Sequence, residues 1–340
     1  MEITTERQLE NLLSEPNEAD IETLGRLDGD ILILGVNGKM GPSLAERAVR
    51  AGRAAGSSRK VIGVSRFSSP EARRTLEECG VTTIAADLLE AGAIDMLPDA
   101  PHVIFMAARK FGTAGAEAAT WATNAYLPGL VAQRYHRSRI VAWSSGNVYP
   151  LTPVNGHAPD ESVVPAPLGE YAQSVLARER IFQYFSNQFG TKAALLRLNY
   201  AVELRYGVLV DIARSVFERR PLDITMGYVN VIWQGDANSI CLRSLEYCAS
   251  PAFILNVTSS ESYSVRWIAE QFAALFGVPL HLTGVEAESA LLSDARLSEK
   301  MFGLPAVGIE QAIEWVASWI SEGRATWDKP THFETRTGQY

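Results

Sequence analysis

The feature that most constrains this chain is a short apolar run, Ile31-Leu32-Ile33-Leu34, that ends directly in a glycine-spaced turn, Gly35-Val36-Asn37-Gly38-Lys39-Met40-Gly41. Four consecutive apolar residues without polar alternation fit a parallel strand buried on both faces. The residues that follow, 42–54, place Leu44, Ala48 and Val49 on one helical face. A strand, a glycine turn and a helix in this order meet three demands at once: a tight turn, bare backbone beside a pyrophosphate, and close packing of helix on strand. The turn therefore predicts a dinucleotide site in which Gly35, Asn37, Gly38, Lys39, Met40 and Gly41 contact the cofactor.

The alternation continues. Further strands are expected over 61–64, 81–85, 102–106, 138–143, 192–198 and 253–257, each separated from the next by a helix-compatible segment. That rhythm predicts an α/β fold, a Rossmann-type doubly wound parallel sheet with a smaller C-terminal α/β substrate lobe. Residues 1–28, with polar helices over 6–13 and 21–27, read as a helical N-terminal appendage. Residues 29–198 form the dinucleotide-binding domain, its sheet completed by parts of 229–260. The substrate lobe takes 199–228 and 261–323, with helices near 209–218, 265–275 and 309–321, and 324–340 is a polar surface tail.

Composition narrows the function. A net charge of −8 without any basic run offers no field for nucleic acid or anionic lipid, so neither is expected as a partner. The start, Met1-Glu2-Ile3-Thr4-Thr5-Glu6-Arg7, is not a basic leader, and no apolar run approaches the roughly 20 residues of a membrane span. A cytoplasmic location is expected. Cys79, Cys241 and Cys248 are odd in number and lack metal-ligand spacing, which suits reduced, packed thiols. No metal constellation and no Ser/His/Asp set emerges, and His157, on a loop, is assigned no catalytic role.

The second strand ends Val64-Ser65-Arg66. An NAD-selective site places a carboxylate there against the ribose hydroxyls, whereas Ser65 and Arg66 can hydrogen-bond and pair with a 2'-phosphate. NADP is therefore favoured, with NAD the alternative.

From about residue 30 to 320 the chain resembles the extended short-chain dehydrogenase/reductase family of nucleotide-sugar epimerases, dehydratases and related reductases. The resemblance rests on Gly35/Gly38/Gly41, Asp87-Leu88, Ala107-Ala108, Asn124, Ser144-Ser145-Gly146-Asn147-Val148-Tyr149, Glu161, Tyr171, Asp236 and Asn256. It implies that Asp87 and Leu88 cradle adenine and that Ala107 and Ala108 line the path to the nicotinamide, with Asn124 also at the cofactor. It also implies that Ser145 orients the substrate oxygen while Tyr171 passes the proton accompanying hydride transfer. Helices over 116–135 and 171–189, which pair across a two-fold axis in that family, imply a homodimer.

Two departures qualify the resemblance. The usual Tyr-x-x-x-Lys reads Tyr171-Ala172-Gln173-Ser174-Val175 here. Four residues apart on a helix share a face, so the missing ammonium removes a positive charge beside the Tyr171 hydroxyl. Arg178, Arg109 or Lys110 can stand in for it. Second, the stretch Asp223-Ile224-Thr225-Met226-Gly227-Tyr228-Val229-Asn230-Val231-Ile232-Trp233 carries no cation where nucleotide-sugar enzymes grip a diphosphate. Arg205 and Arg219-Arg220 remain as anion contacts. The expectation is an oxidoreductase or epimerase acting on a small carbohydrate-like molecule, a free sugar, polyol or sugar acid, with Arg109, Tyr149, Asn199 and Trp233 lining its pocket. A nucleotide-sugar epimerase or dehydratase, and a catalytically impaired NADP-binding sensor or regulatory protein, are the alternatives.

Overall fold

Seven parallel strands form one sheet: β1 (Ile31–Leu34), β2 (Val61–Ser65), β3 (Thr82–Ala85), β4 (His102–Phe105), β5 (Arg139–Ser145), β6 (Lys192–Leu198) and β7 (Phe253–Val257). Their order across the sheet is β3-β2-β1-β4-β5-β6-β7, with every pairing parallel. The computed structural model describes residues 2–339. Met1 and Tyr340, the outermost residues of the segments 1–28 and 324–340, lie outside the described residues.

Why β1 is apolar throughout follows from what covers it. Ile31 and Ile33 pack into a cluster with Leu44 and Ala48 of α3 (Gly41–Ala54) and Ala237 and Ile240 of α9 (Gln234–Arg243). Leu32 and Leu34 point the other way, to Leu127 and Val131 of α6 (Leu127–Arg134) and Phe182 of α7 (Gly169–Phe189). Successive strand residues face opposite sides, and here both sides are roofed by helices. Just before α6 the chain runs through α5 (Glu117–Trp121) and a single π turn, Ala122–Tyr126.

The smaller lobe gathers α8 (Val208–Phe217), α10 (Val265–Phe276) and α12 (Ile309–Ser321) around their own apolar cluster, which includes Leu209, Ile212, Ile268, Phe272, Ile313 and Val316.

The two ends of the chain are more integral than their polar composition suggests. The helices α1 (Glu6–Ser14) and α2 (Glu18–Arg26) each open with a capping box, Thr5 with Gln8 and Asn17 with Asp20. Leu9 and Leu13 enter the lobe's cluster while Leu24 enters the sheet's. Asp20 is fully buried, paired with Arg47 of α3 at 2.7 Å and accepting from the Ser239 hydroxyl of α9 at 2.6 Å. Residues 3–27 therefore pack against both the sheet's apolar cluster and the lobe's. The tail likewise packs inward: Thr331 and Phe333 are buried, and the Thr331 amide and hydroxyl both donate to one oxygen of Asp211 on α8, at 2.8 and 2.6 Å.

Candidate active site

The strand ends are level, with Leu34 opposite Val64 on one side and Phe105 on the other. Gly35, Arg66 and Met106 therefore leave the sheet along one edge. At β1 the strand order reverses, and such a switch point opens a crevice above the strand ends.

The glycine turn lies in that crevice. Gly35 adopts φ +89°, and a Cβ on it would sit 2.7 Å from the Ala107 nitrogen. A Cβ on Gly41 would sit 2.1 Å from the Val36 carbonyl oxygen. These two glycines are required by the packing of the chain itself, whereas Gly38 is exposed and leaves bare backbone toward the opening. No side chain caps α3 at Met40. The Gly41 amide donates to the Gly38 carbonyl at 3.3 Å and Pro42 has no N–H, so what the start of α3 offers an outside anion is the positive end of its dipole, which fits a dinucleotide diphosphate. Asn37 and Lys39 are half-buried beside it and Met40 is buried.

Farther along the same edge Ser65 is half-buried and Arg66 exposed, its guanidinium 4.0 Å from the Asp87 carboxylate. Asp87 accepts from the Leu89 amide at 3.0 Å, and the Leu88 side chain is tucked into the sheet's core. Ala107 and Ala108 leave β4 between this groove and the next site.

That next site is a cavity of about 160 Å³ lined by Lys39, Lys110, Ser145, Asn147, Tyr171, Asn199, Tyr206 and Thr331, among others. Ser145 ends β5, and its hydroxyl lies 2.8 Å from Asn147 Oδ1 while accepting the Asn147 amide at 3.2 Å. Tyr171, in the first turn of α7, is buried and hydrogen-bonded to Ser145. Burial pushes the Tyr171 phenol up; the charge of Arg178 and the bond with Ser145 pull against it.

Two of the three cations that sequence reasoning offered in place of the missing lysine are near Tyr171. Arg178 is buried, donating to the carbonyls of Trp143 at 2.6 Å and Ala107 at 3.2 Å and to Asn124 Oδ1 at 2.9 Å. Lys110 places its ammonium 5.8 Å from the centre of the Tyr171 ring, and burial lowers its pKa to about 8. Arg109 does not line this cavity, its guanidinium instead donating to the Gly112 carbonyl at 3.2 Å.

Other expected site residues lie elsewhere. Asn124 is fully buried, with its oxygen accepting from the Arg109 amide and Arg178, and its nitrogen donating to the Arg109 carbonyl and Ser174. All its bonding capacity is spent on bracing the loop after β4 against α7, so it is a brace and not a cofactor contact. Tyr149 is buried, accepting from Arg197 at 2.7 Å, its hydroxyl 2.9 Å from Asn256 Oδ1. It lies behind the cavity rather than in it. Trp233 packs edge-on against Trp315 in the lobe, beside a separate cavity bordered by Glu261 and Leu304. Asn199 lines the cavity, donating to Ser293 at 3.1 Å. Arg205 is committed to Glu10 at 2.6 Å and Glu203 at 3.1 Å, and Arg220 pairs with Glu218 at 2.6 Å.

Sequence reasoning gave Lys39 to the cofactor rather than to this cavity and did not offer Tyr206 or Thr331. Lys39 turns from the glycine turn into it, Tyr206 comes from the loop before α8, and Thr331 comes from the tail. No local pattern marks Thr331, because only the return of the tail across α8 brings it there.

Val175 is buried against Val148, Tyr149 and Tyr171. A lysine there would put an ammonium among apolar atoms. Val175→Lys is expected to destabilise the fold by about 2–4 kcal/mol without raising turnover, as read from urea midpoints alongside a rate assay. Unchanged stability with a gain in rate would show that the new ammonium reaches the cavity.

The model of the NAD dependent epimerase/dehydratase family matches residues 31–202. No curated protein sequence matches the chain. Among solved structures, the UDP-glucose 4-epimerase of Thermotoga maritima with UDP-glucose is similar at TM-score 0.72 and 14% identity, over 86% of this chain and 99% of that one. The UDP-glucuronic acid 4-epimerase of Bacillus cereus, with UDP-glucuronic acid and NAD, reaches 0.70 at 18% identity over 86% and 99%. The dTDP-glucose 4,6-dehydratase of Bacillus anthracis with NAD reaches 0.72 at 13% over 87% and 97%. At these identities the likeness is one of fold.

Proposed function

Because the chain belongs to the NAD dependent epimerase/dehydratase family, whose members are enzymes, we propose that it transfers a hydride to or from a carbohydrate-like hydroxyl or ketone, as an oxidoreductase or epimerase. The observation that carries this reading is the hydrogen-bonded pair Ser145 and Tyr171 in one small cavity beside the glycine turn. The dinucleotide, when bound, supplies the hydride donor or acceptor. Gly38, the uncapped start of α3 and Asp87 hold it along the strand edge. Ser145 donates to the substrate oxygen and Tyr171 gives or takes its proton, so charge that develops on that oxygen meets two converging hydroxyls. Lys110 and Arg178 supply the positive field that a lysine at position 175 would have given. A pure sensor has no need of this proton-transfer pair.

NADP is the favoured cofactor, supported by Ser65 and the exposed Arg66 at the end of β2, a strand that ends without a carboxylate of its own. Arg66→Ala is expected to weaken NADP binding about tenfold and NAD binding less than about twofold, by calorimetry. An equal loss for both would remove the 2'-phosphate contact. Titration with both dinucleotides in both redox states, followed by a screen of sugars, polyols and sugar acids at the nicotinamide absorbance band, tests the reading as a whole. No binding of any dinucleotide would end it.

A free, small substrate is favoured by the cavity's size and by the engagement of Arg205 and Arg220 with neighbouring carboxylates. A nucleotide-sugar substrate is the second reading, favoured by the solved structures of like fold that hold UDP-sugars. Exposed Trp121 and Tyr126 near α6 and Tyr184 on α7 support a homodimer through these helices, to be measured by sedimentation. No helix among the described residues is long and apolar enough to cross a membrane.

A further inference from the structure

The catalytic cavity carries more positive charge than proton transfer to one oxygen requires. Lys39 enters from the glycine turn and Lys110 from the loop after β4, so two ammonium groups border a space of about 160 Å³ that also holds Tyr171 and Ser145. The Lys39 ammonium donates to the Ala201 carbonyl at 2.6 Å and lies 4.2 Å over the Tyr206 ring. Among the described residues no carboxylate comes within ion-pair distance of it. The two carboxylates that act on it most are both buried: Glu203 accepts from Arg205 at 3.1 Å through one oxygen, its other oxygen having no hydrogen-bond partner among the described residues, and Asp211 takes both donors of Thr331.

Desolvating two like charges together is unfavourable unless a counter-charge joins them. The cost is visible in their protonation. Burial and the neighbouring Lys110 and Arg205 lower the Lys39 pKa to about 7, and burial lowers that of Lys110 to about 8. A carbonyl and an aromatic face compensate an ammonium in part, but a carboxylate forms charge-assisted bonds about twice as strong as neutral ones. Thr331 walls the cavity toward α8, and Lys39 and Tyr206 are shared with a second cavity of about 440 Å³ beside it.

We propose that the substrate is a small sugar acid, its carboxylate held between Lys39 and Lys110 while the reacting hydroxyl or carbonyl oxygen lies against Ser145 and Tyr171. This rests on the reading of Ser145 and Tyr171 as the proton-transfer pair and narrows it to an anionic substrate. The competing anion is the cofactor's own diphosphate, since Lys39 belongs to the glycine turn.

The test uses the full chain and a panel of four- to six-carbon aldonates with their matching alditols, titrated calorimetrically with and without saturating dinucleotide. Lys39→Met and Lys110→Met are compared with the unsubstituted protein, and each is first checked for an unchanged melting temperature. At least one aldonate is expected to bind about tenfold or more tightly than its alditol, and Lys39→Met to remove about tenfold of that preference while dinucleotide affinity changes less than about twofold. The proposal is overturned if no aldonate outbinds its alditol, if both variants keep the preference, or if Lys39→Met loses dinucleotide affinity instead. Absence of dinucleotide binding to the unsubstituted protein is a separate result, which removes the hydride-transfer reading; the aldonate comparison without dinucleotide then still decides the charge assignment.

Discussion

Tyr171→Phe is expected to lower turnover by about 10²–10⁴-fold while leaving dinucleotide affinity and melting temperature nearly unchanged. The ring packs with Val148, Tyr149 and Val175, and those contacts survive removal of one oxygen. What goes is the group bonded to Ser145 that moves the proton. Burial holds the phenol above its usual range, with Arg178 and Ser145 opposing, so at neutral pH the hydroxyl carries its proton. Carbonyl reduction, which uses Tyr171 as an acid, is therefore expected to hold its rate through neutral pH. Alcohol oxidation, which needs the deprotonated form, is expected to rise as pH rises. Steady-state rates in both directions with the substrate found by the screen measure this. A Phe variant with unchanged turnover would take the proton transfer away from Tyr171.

The second large effect is one of stability. Arg197→Leu is expected to destabilise the fold by about 3–5 kcal/mol, because it leaves a buried carboxylate without its partner. Arg197 on β6 and Glu179 on α7 are both buried, joined by two bonds of 2.9 and 2.7 Å. Glu179 also accepts from Ser144 at 2.5 Å, and Arg197 donates to the Tyr149 hydroxyl at 2.7 Å. The network thus locks β5, β6 and α7 immediately behind Ser145 and Tyr171. Replacing both partners by leucine is expected to cost clearly less than Arg197→Leu alone, since no uncompensated charge then remains. Urea melts of the two single variants and the double variant decide it. Additive losses would mean that the pair acts through packing rather than charge.

The same network explains why Tyr149 reads as a pocket residue in the sequence and is not one. An aromatic with a hydroxyl, four residues after Ser145, is chemically suited to a carbohydrate pocket. Its hydroxyl is instead used by Arg197 and Asn256 from two other strands, a demand that no local pattern reveals. Asn124 is a parallel case. Its place in a π turn aims it at Arg109, Ser174 and Arg178 rather than at the groove.

Taken alone, the amino-acid order determined the sheet and the glycine turn at its edge. The all-apolar β1, the glycine spacing and the alternation with helices are local properties, set by steric limits at Gly35 and Gly41 and by burial of β1 on both faces. The tertiary structure alone decided what surrounds Ser145 and Tyr171. Lys39, Lys110, Asn199 with Tyr206, and Thr331 come from four separate stretches of chain, and only packing between the sheet, the lobe and the tail brings them to one cavity. The reason is physical: a backbone conformation depends on a few neighbouring residues, whereas the direction of a side chain and the partner that takes its hydrogen bond depend on everything packed around it.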